Sequence, residues 1–107
     1  MGFEIACTNE EKVKVTLAPT TEGGAPVAPL NLAVTVVSGD GSAQVLDANS
    51  FELISGSLIG DTQFAVAADF DPAGDGSLEH FTDTITLHAG EAKVVTFGFT
   101  AGTPEVK

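Results

Sequence analysis

Residues 60–71, GDTQFAVAADFD, and residues 81–90, FTDTITLHAG, stand either side of DPAGDGS (71–77). In an extended chain successive side chains point to opposite faces. Phe64, Val66, Ala68 and Phe70 then share one side, with Gln63, Ala65, Ala67 and Asp69 on the other. In the second run Phe81, Ile85, Leu87 and Ala89 oppose Thr82, Thr84, Thr86 and His88. A two-residue apolar period predicts strands with one buried face, and the Asp75-Gly76 pair between them is a hairpin signal. The parity also puts Asp83 on the apolar side. A carboxylate facing a core is costly unless paired, so Asp83 is expected near a strand end, beside a bulge, or close to Lys12 or Lys14.

The same rhythm extends outward in both directions, interrupted at short intervals by Gly, Pro, Asp or Asn. KVKVTLAP (12–19) sets Val13, Val15 and Leu17 against Lys12, Lys14 and Thr16, and stops at Pro19, which lacks the donor a continuing ladder needs. Phe3, Ile5 and Cys7 alternate on a short edge strand. TTEGGAPVAP (20–29) reads as an ordered, proline-stiffened loop. Leu30 to Val37 is apolar on both phases apart from Asn31 and Thr35, the pattern of a central strand covered on both faces. SGDGS (38–42) supplies glycines for a turn, and short strands follow about Val45 and over Phe51 to Ile54. AKVVTFGFT (92–100) reads as a last strand with Val95, Phe97 and Phe99 on one side, and AGTPEVK as a frayed tail. Together these predict an all-β sandwich of about seven to nine antiparallel strands with no helix and no internal repeat.

A chain of 107 residues suits one domain, 1–107, with one core. Its core formers are Val, Leu, Ile, Ala and seven Phe, with no Trp or Tyr. Fifteen carboxylates against four lysines give a formal charge of -11, so phosphate backbones and anionic membrane surfaces are repelled. Cations, basic protein surfaces and neutral ligands such as glycans fit better. Cys7 is the single cysteine, which rules out an intrachain disulfide and any site needing two thiolates. No apolar run approaches membrane-spanning length, and MGFEIACTNEEK lacks the basic start and apolar stretch of a signal peptide.

The stretch VTVVSGDGSAQVLDANS (34–50), followed by GDTQFAVAADFD and TDTITLHA, resembles the bacterial immunoglobulin-like domains of group 2 type. The resemblance covers residues 12 to about 90 and consists of a strand ending in a Ser-rich turn, a short strand, a Gly-led strand rich in Thr and Ala and a closing alternating strand. Val36 stands where those domains often carry Trp, and the run after Gly90 supplies a strand that a minimal domain would not need. The resemblance implies an immunoglobulin-like sandwich with a binding or structural role, such as an accessory module of a phage virion or bacterial surface. It transfers no catalytic residue.

Chemistry-bearing clusters are few. DFDPAGDGSLE (69–79) gathers Asp69, Asp71, Asp75 and Glu79 in a Gly-containing loop, the oxygen-rich composition calcium takes. The EF-hand spacing is not met, because counting from Asp71 the third position is Ala73 and the twelfth is Thr82. A solvated acidic hairpin is therefore the preferred reading, and calcium the lesser one. His80 borders this hairpin; His88 falls on the threonine face and reads as a surface residue. Cys7, beside Phe3 and Ile5, reads as a core thiol. SGDGS has no following helix to form a nucleophile elbow, and no Gly-rich stretch carries the Lys-Ser/Thr of a phosphate cradle.

The expected function is therefore recognition without bond chemistry, through loops 20–29 and 69–79 at one end of the sandwich or through an exposed sheet edge, toward a protein or glycan. The alternatives are a self-assembling oligomer in which the terminal strands 3–7 and 92–100 pair between copies, and a calcium-dependent adhesion module.

Overall fold

The computed structural model describes residues 2–107. Its regular structure is entirely β: β1 (Phe3–Thr8), β2 (Lys12–Thr16), β3 (Leu30–Ser38), β4 (Ser42–Asp47), β5 (Ser50–Ile54), β6 (Gly60–Phe70) and β7 (Glu79–Gly90). They form a four-stranded sheet in the order β1-β7-β6-β3 and a three-stranded sheet in the order β2-β5-β4. Only β4–β5 and β6–β7 are hairpins. Every other connection passes from one sheet to the other, so both sheets are assembled from segments distant in the chain.

The alternating patterns explain the packing. β6 and β7 pair without interruption from Gly60↔Ala89 to Phe70↔Glu79, which lays Phe64 beside Ile85 on the inner face. β5 is the centre of the smaller sheet, and its Phe51 and Leu53 meet Phe64, Ile85 and Leu87 to form the core, with Ile5, Cys7, Val13, Val15, Leu17, Leu32 and Val34 packed around it. Phe51, Leu53 and Phe64 are fully buried. At the β3–β4 turn Gly39 adopts φ +99°, and a Cβ there would lie 2.7 Å from the backbone of Asp61 and Thr62. That turn demands glycine twice over, by conformation and by contact.

Four expectations are corrected. Leu30–Val37 is not a central strand: β3 is an edge of its sheet and half-buries one face only, at Leu32 and Val34. Val and Thr favour the extended chain whether or not their outer face is covered, so composition alone overstated its burial. The strands are not all antiparallel, since β1 pairs β7 in parallel from Phe3↔Ile85 to Thr8↔Gly90. Phe81 and Asp83 share the inward phase of β7 yet both are exposed, because this half of the strand runs past the part of the facing sheet that covers Ile85, Leu87 and Ala89. Asp83 has no lysine partner; its Oδ1 accepts the Thr84 amide.

The fourth correction is the largest. Residues 91–107 form no strand. A hairpin return from β7 would need its outer edge at Ile85–Gly90, and β1 holds that edge. The segment leaves the sandwich instead, fastened at its root where Asn9 Oδ1 accepts the Ala92 amide and the Asn9 amide donates to Gly90 O. The radius of gyration is 20.3 Å and the extents are 82 × 28 × 20 Å, against about 13 Å expected for a compact chain of this length.

Candidate functional site

β2 and β7 run in opposite directions, so the end of β2 and the start of β7 come to the same end of the molecule. The chain beyond β2 folds on itself there: the Thr21 amide donates to Ala25 O, the Gly24 amide to Thr21 O and the Val27 amide to Pro19 O. This proline-bounded loop and the β6–β7 hairpin stand apart as two walls. Between them lies a groove of about 810 Å³, lined by Leu17, Pro19, Val27, Phe70, Pro72 and Phe81, with Glu22 and Glu79 among its polar residues. A smaller hollow of about 280 Å³ continues it past Val27 and Pro72 to Leu30. Phe81 packs edge-on against Phe70 at 5.5 Å and still leaves 57% of its surface in solvent. The loops 20–29 and 69–79 are thus brought together, and what they enclose is mainly apolar.

The groove borders an unused sheet edge. β6 covers one side of β7 along its whole length, whereas β1 covers the other only from Ile85 to Gly90. Gly2 reaches Thr84. Glu79 to Asp83 therefore present their outward N–H and C=O groups with no strand partner among the described residues.

The acidic hairpin spends its carboxylates on its own backbone. Asp71 accepts the amides of Asp75 (3.1 Å) and Gly76 (2.9 Å), and Asp75 accepts that of Ser77 (2.9 Å). Asp69 accepts from the Asn31 side-chain amide at 3.0 Å and pairs with His80 Nδ1 at 2.6 Å. The Asn31 bond, then the His80 bond, holds the Asp69 carboxyl below the usual range. Asn31 sits at φ 56°, a left-handed conformation Asn tolerates, at an irregularity in the β3–β6 pairing. Glu79 lies at the other end of the hairpin, on the groove wall. Among the described residues no three His, Cys, Asp or Glu side chains converge as a metal site would require.

His88 has partners that the linear sequence did not reveal. It lies across from Asp61 on β6 and two register positions from Glu4 on β1, and its Nδ1 and Nε2 reach Asp61 Oδ1 and Glu4 Oε1, each at 2.7 Å. Only the imidazolium can donate from both nitrogens, so Glu4 first and Asp61 second push the His88 pKa up. The sequence signal for this was that Glu4, Asp61 and His88 each fall on the outward phase of their own strand, usable once the strand registers are known. Cys7 is half-buried, and burial followed by the nearby Glu11 charge raises its thiol pKa, the reverse of what a nucleophile needs.

Comparison with known protein families, curated proteins and solved structures returns no match to this chain.

Proposed function

We propose that this chain is an immunoglobulin-like β-sandwich that works by contact, a non-catalytic binding or structural module of the accessory virion or bacterial-surface kind. The strand arrangement supports the fold reading. Grouping the second, fifth and fourth strands against the third, sixth and seventh is the grouping of constant-type immunoglobulin domains, with the first strand moved beside the seventh.

One observation carries the functional reading: the groove at one end is apolar, open, and flanked by the unpaired half of β7. Soluble domains seldom leave Phe81, Leu78 and neighbouring apolar surface exposed beside a free edge unless something covers them. Edge and groove together suit an extended segment, whose backbone pairs with the edge while alternate side chains enter the groove. The test is an amide-resolved NMR titration with a short, uncharged peptide of alternating Val and Thr. Saturable shifts at residues 17–27 and 70–83 that Phe81→Asp abolishes are expected; no shift there would remove the groove as a contact site.

A further inference from the structure

The segment 94–104, VVTFGFTAGTP, carries no charge in a chain whose formal charge is -11. Glu91 and Glu105 balance Lys93 and Lys107, so the whole net charge resides in the residues before this tail. Its large apolar side chains lie almost wholly in solvent. Val94, Val95, Phe97 and Phe99 are about nine-tenths exposed, and the two rings stack at 5.5 Å. Alternation that reads as a strand in sequence has here no sheet of its own to join.

We propose that residues 94–99 of one copy lie as a strand along Glu79–Asp83 of β7 in a second copy and seat Phe97 and Phe99 in its groove. This rests on the contact reading above and names its partner. Length agrees: six residues of alternating chain meet an open edge of five. Chemistry agrees too, since two phenyl rings on one face of the tail meet Phe70, Phe81, Leu17 and Val27, and Lys93 adjoins the inserted block where Glu22 and Glu79 line the acceptor groove.

Geometry excludes the chain's own groove. The tail departs at Gly90 and the groove lies at Glu79, the two ends of β7, roughly 37 Å apart at 3.4 Å per residue. A return through a two-residue turn would bring residues 94–99 level with Thr84–Ala89, where β1 and Gly2 already lie. A longer turn would bring them level with still later residues of β7. The donor and acceptor surfaces are different patches at opposite ends, so the contact is heterologous and repeats head to tail into a ring or filament.

Two variants and their mixture test this. Phe97→Asp/Phe99→Asp disables the tail, and Phe81→Asp disables the groove; circular dichroism confirms that each folds. Each alone should sediment at the mass of one chain, and the equimolar mixture should give a species of twice that mass and no larger, because one sound tail meets one sound groove. A mixture that stays at single-chain mass overturns the proposal, as does a tail variant that associates as well as the parent. As a second readout, Phe97→Cys and Phe81→Cys chains in a Cys7→Ser background should form a mixed disulfide on oxidation at least tenfold faster than Phe3→Cys with Phe97→Cys; equal rates contradict it. If the neutral peptide binds the groove and the mixture stays monomeric, the partner assignment fails and the contact reading stands. If the peptide does not bind, the contact reading itself fails.

Discussion

Phe97 and Phe99 stack on one another at 5.5 Å with their planes 29° apart, while 89% and 91% of their surfaces face solvent. No fold within one chain gains from leaving two phenyl rings in water. On the proposal above, the groove of a second copy covers them.

It follows that replacing both rings with serine leaves the stability of the isolated sandwich unchanged to within about 0.5 kcal/mol, the usual range for surface substitutions. Phe64→Ala, which empties a fully buried position between the sheets, should cost about 3–5 kcal/mol. Urea unfolding of dilute protein measures both. A large loss from the serine pair would mean that the tail packs on its own domain.

His88 gives the fold a pH dependence with a definite sign. Its pKa is raised in the folded chain by Glu4 and Asp61. The folded state therefore binds the proton more tightly than the unfolded state, and this stabilisation is fully present below the unfolded value of about 6.5 and is lost as pH rises through the folded value. Melting temperatures of the parent and His88→Gln should differ most below that window and converge above it. A gap that stays constant with pH would contradict the carboxylate–imidazolium–carboxylate contact.

Gly39→Ala should be strongly destabilising, by roughly 1–3 kcal/mol, since it combines a positive φ with a Cβ pressed on the Asp61 and Thr62 backbone. Gly74→Ala is the control: φ +69° and open space, hence conformational strain alone. Equal costs in chemical unfolding would show that the approach to Thr62 is not tight.

Association should strengthen with salt. Two bodies that each carry the full charge of -11 repel, while the contact itself is apolar. Screening shortens the repulsion to a Debye length of about 10 Å at 0.1 M. Sedimentation at low and high sodium chloride checks this; a contact weakened by salt would be held by charge pairs and not by Phe97 and Phe99.

The sequence made the core legible to the extent that alternation is local. Val13, Val15, Phe64, Ile85 and Leu87 face inward as parity requires, and the β6–β7 hairpin forms about the expected acidic turn. Pairing partners are not local. That β1 takes the outer edge of β7 in parallel denies residues 92–100 a hairpin return along β7 and brings Glu4 to His88, and the reach of the facing sheet leaves Phe81 and Asp83 exposed. None of this is written in the residues concerned. The groove was half legible: loops 20–29 and 69–79 stood out through proline and acid content, but of its apolar lining Leu17, Phe70 and Phe81 looked like ordinary core and Val27 like part of the loop.

The most direct measurement is sedimentation velocity of the unaltered chain from micromolar to millimolar concentration. The account predicts a weight-average mass that rises steadily with concentration through dimer and higher species, and that returns to one chain when the Phe97→Ser/Phe99→Ser pair is introduced. A single boundary at the mass of one chain across the whole range would contradict it.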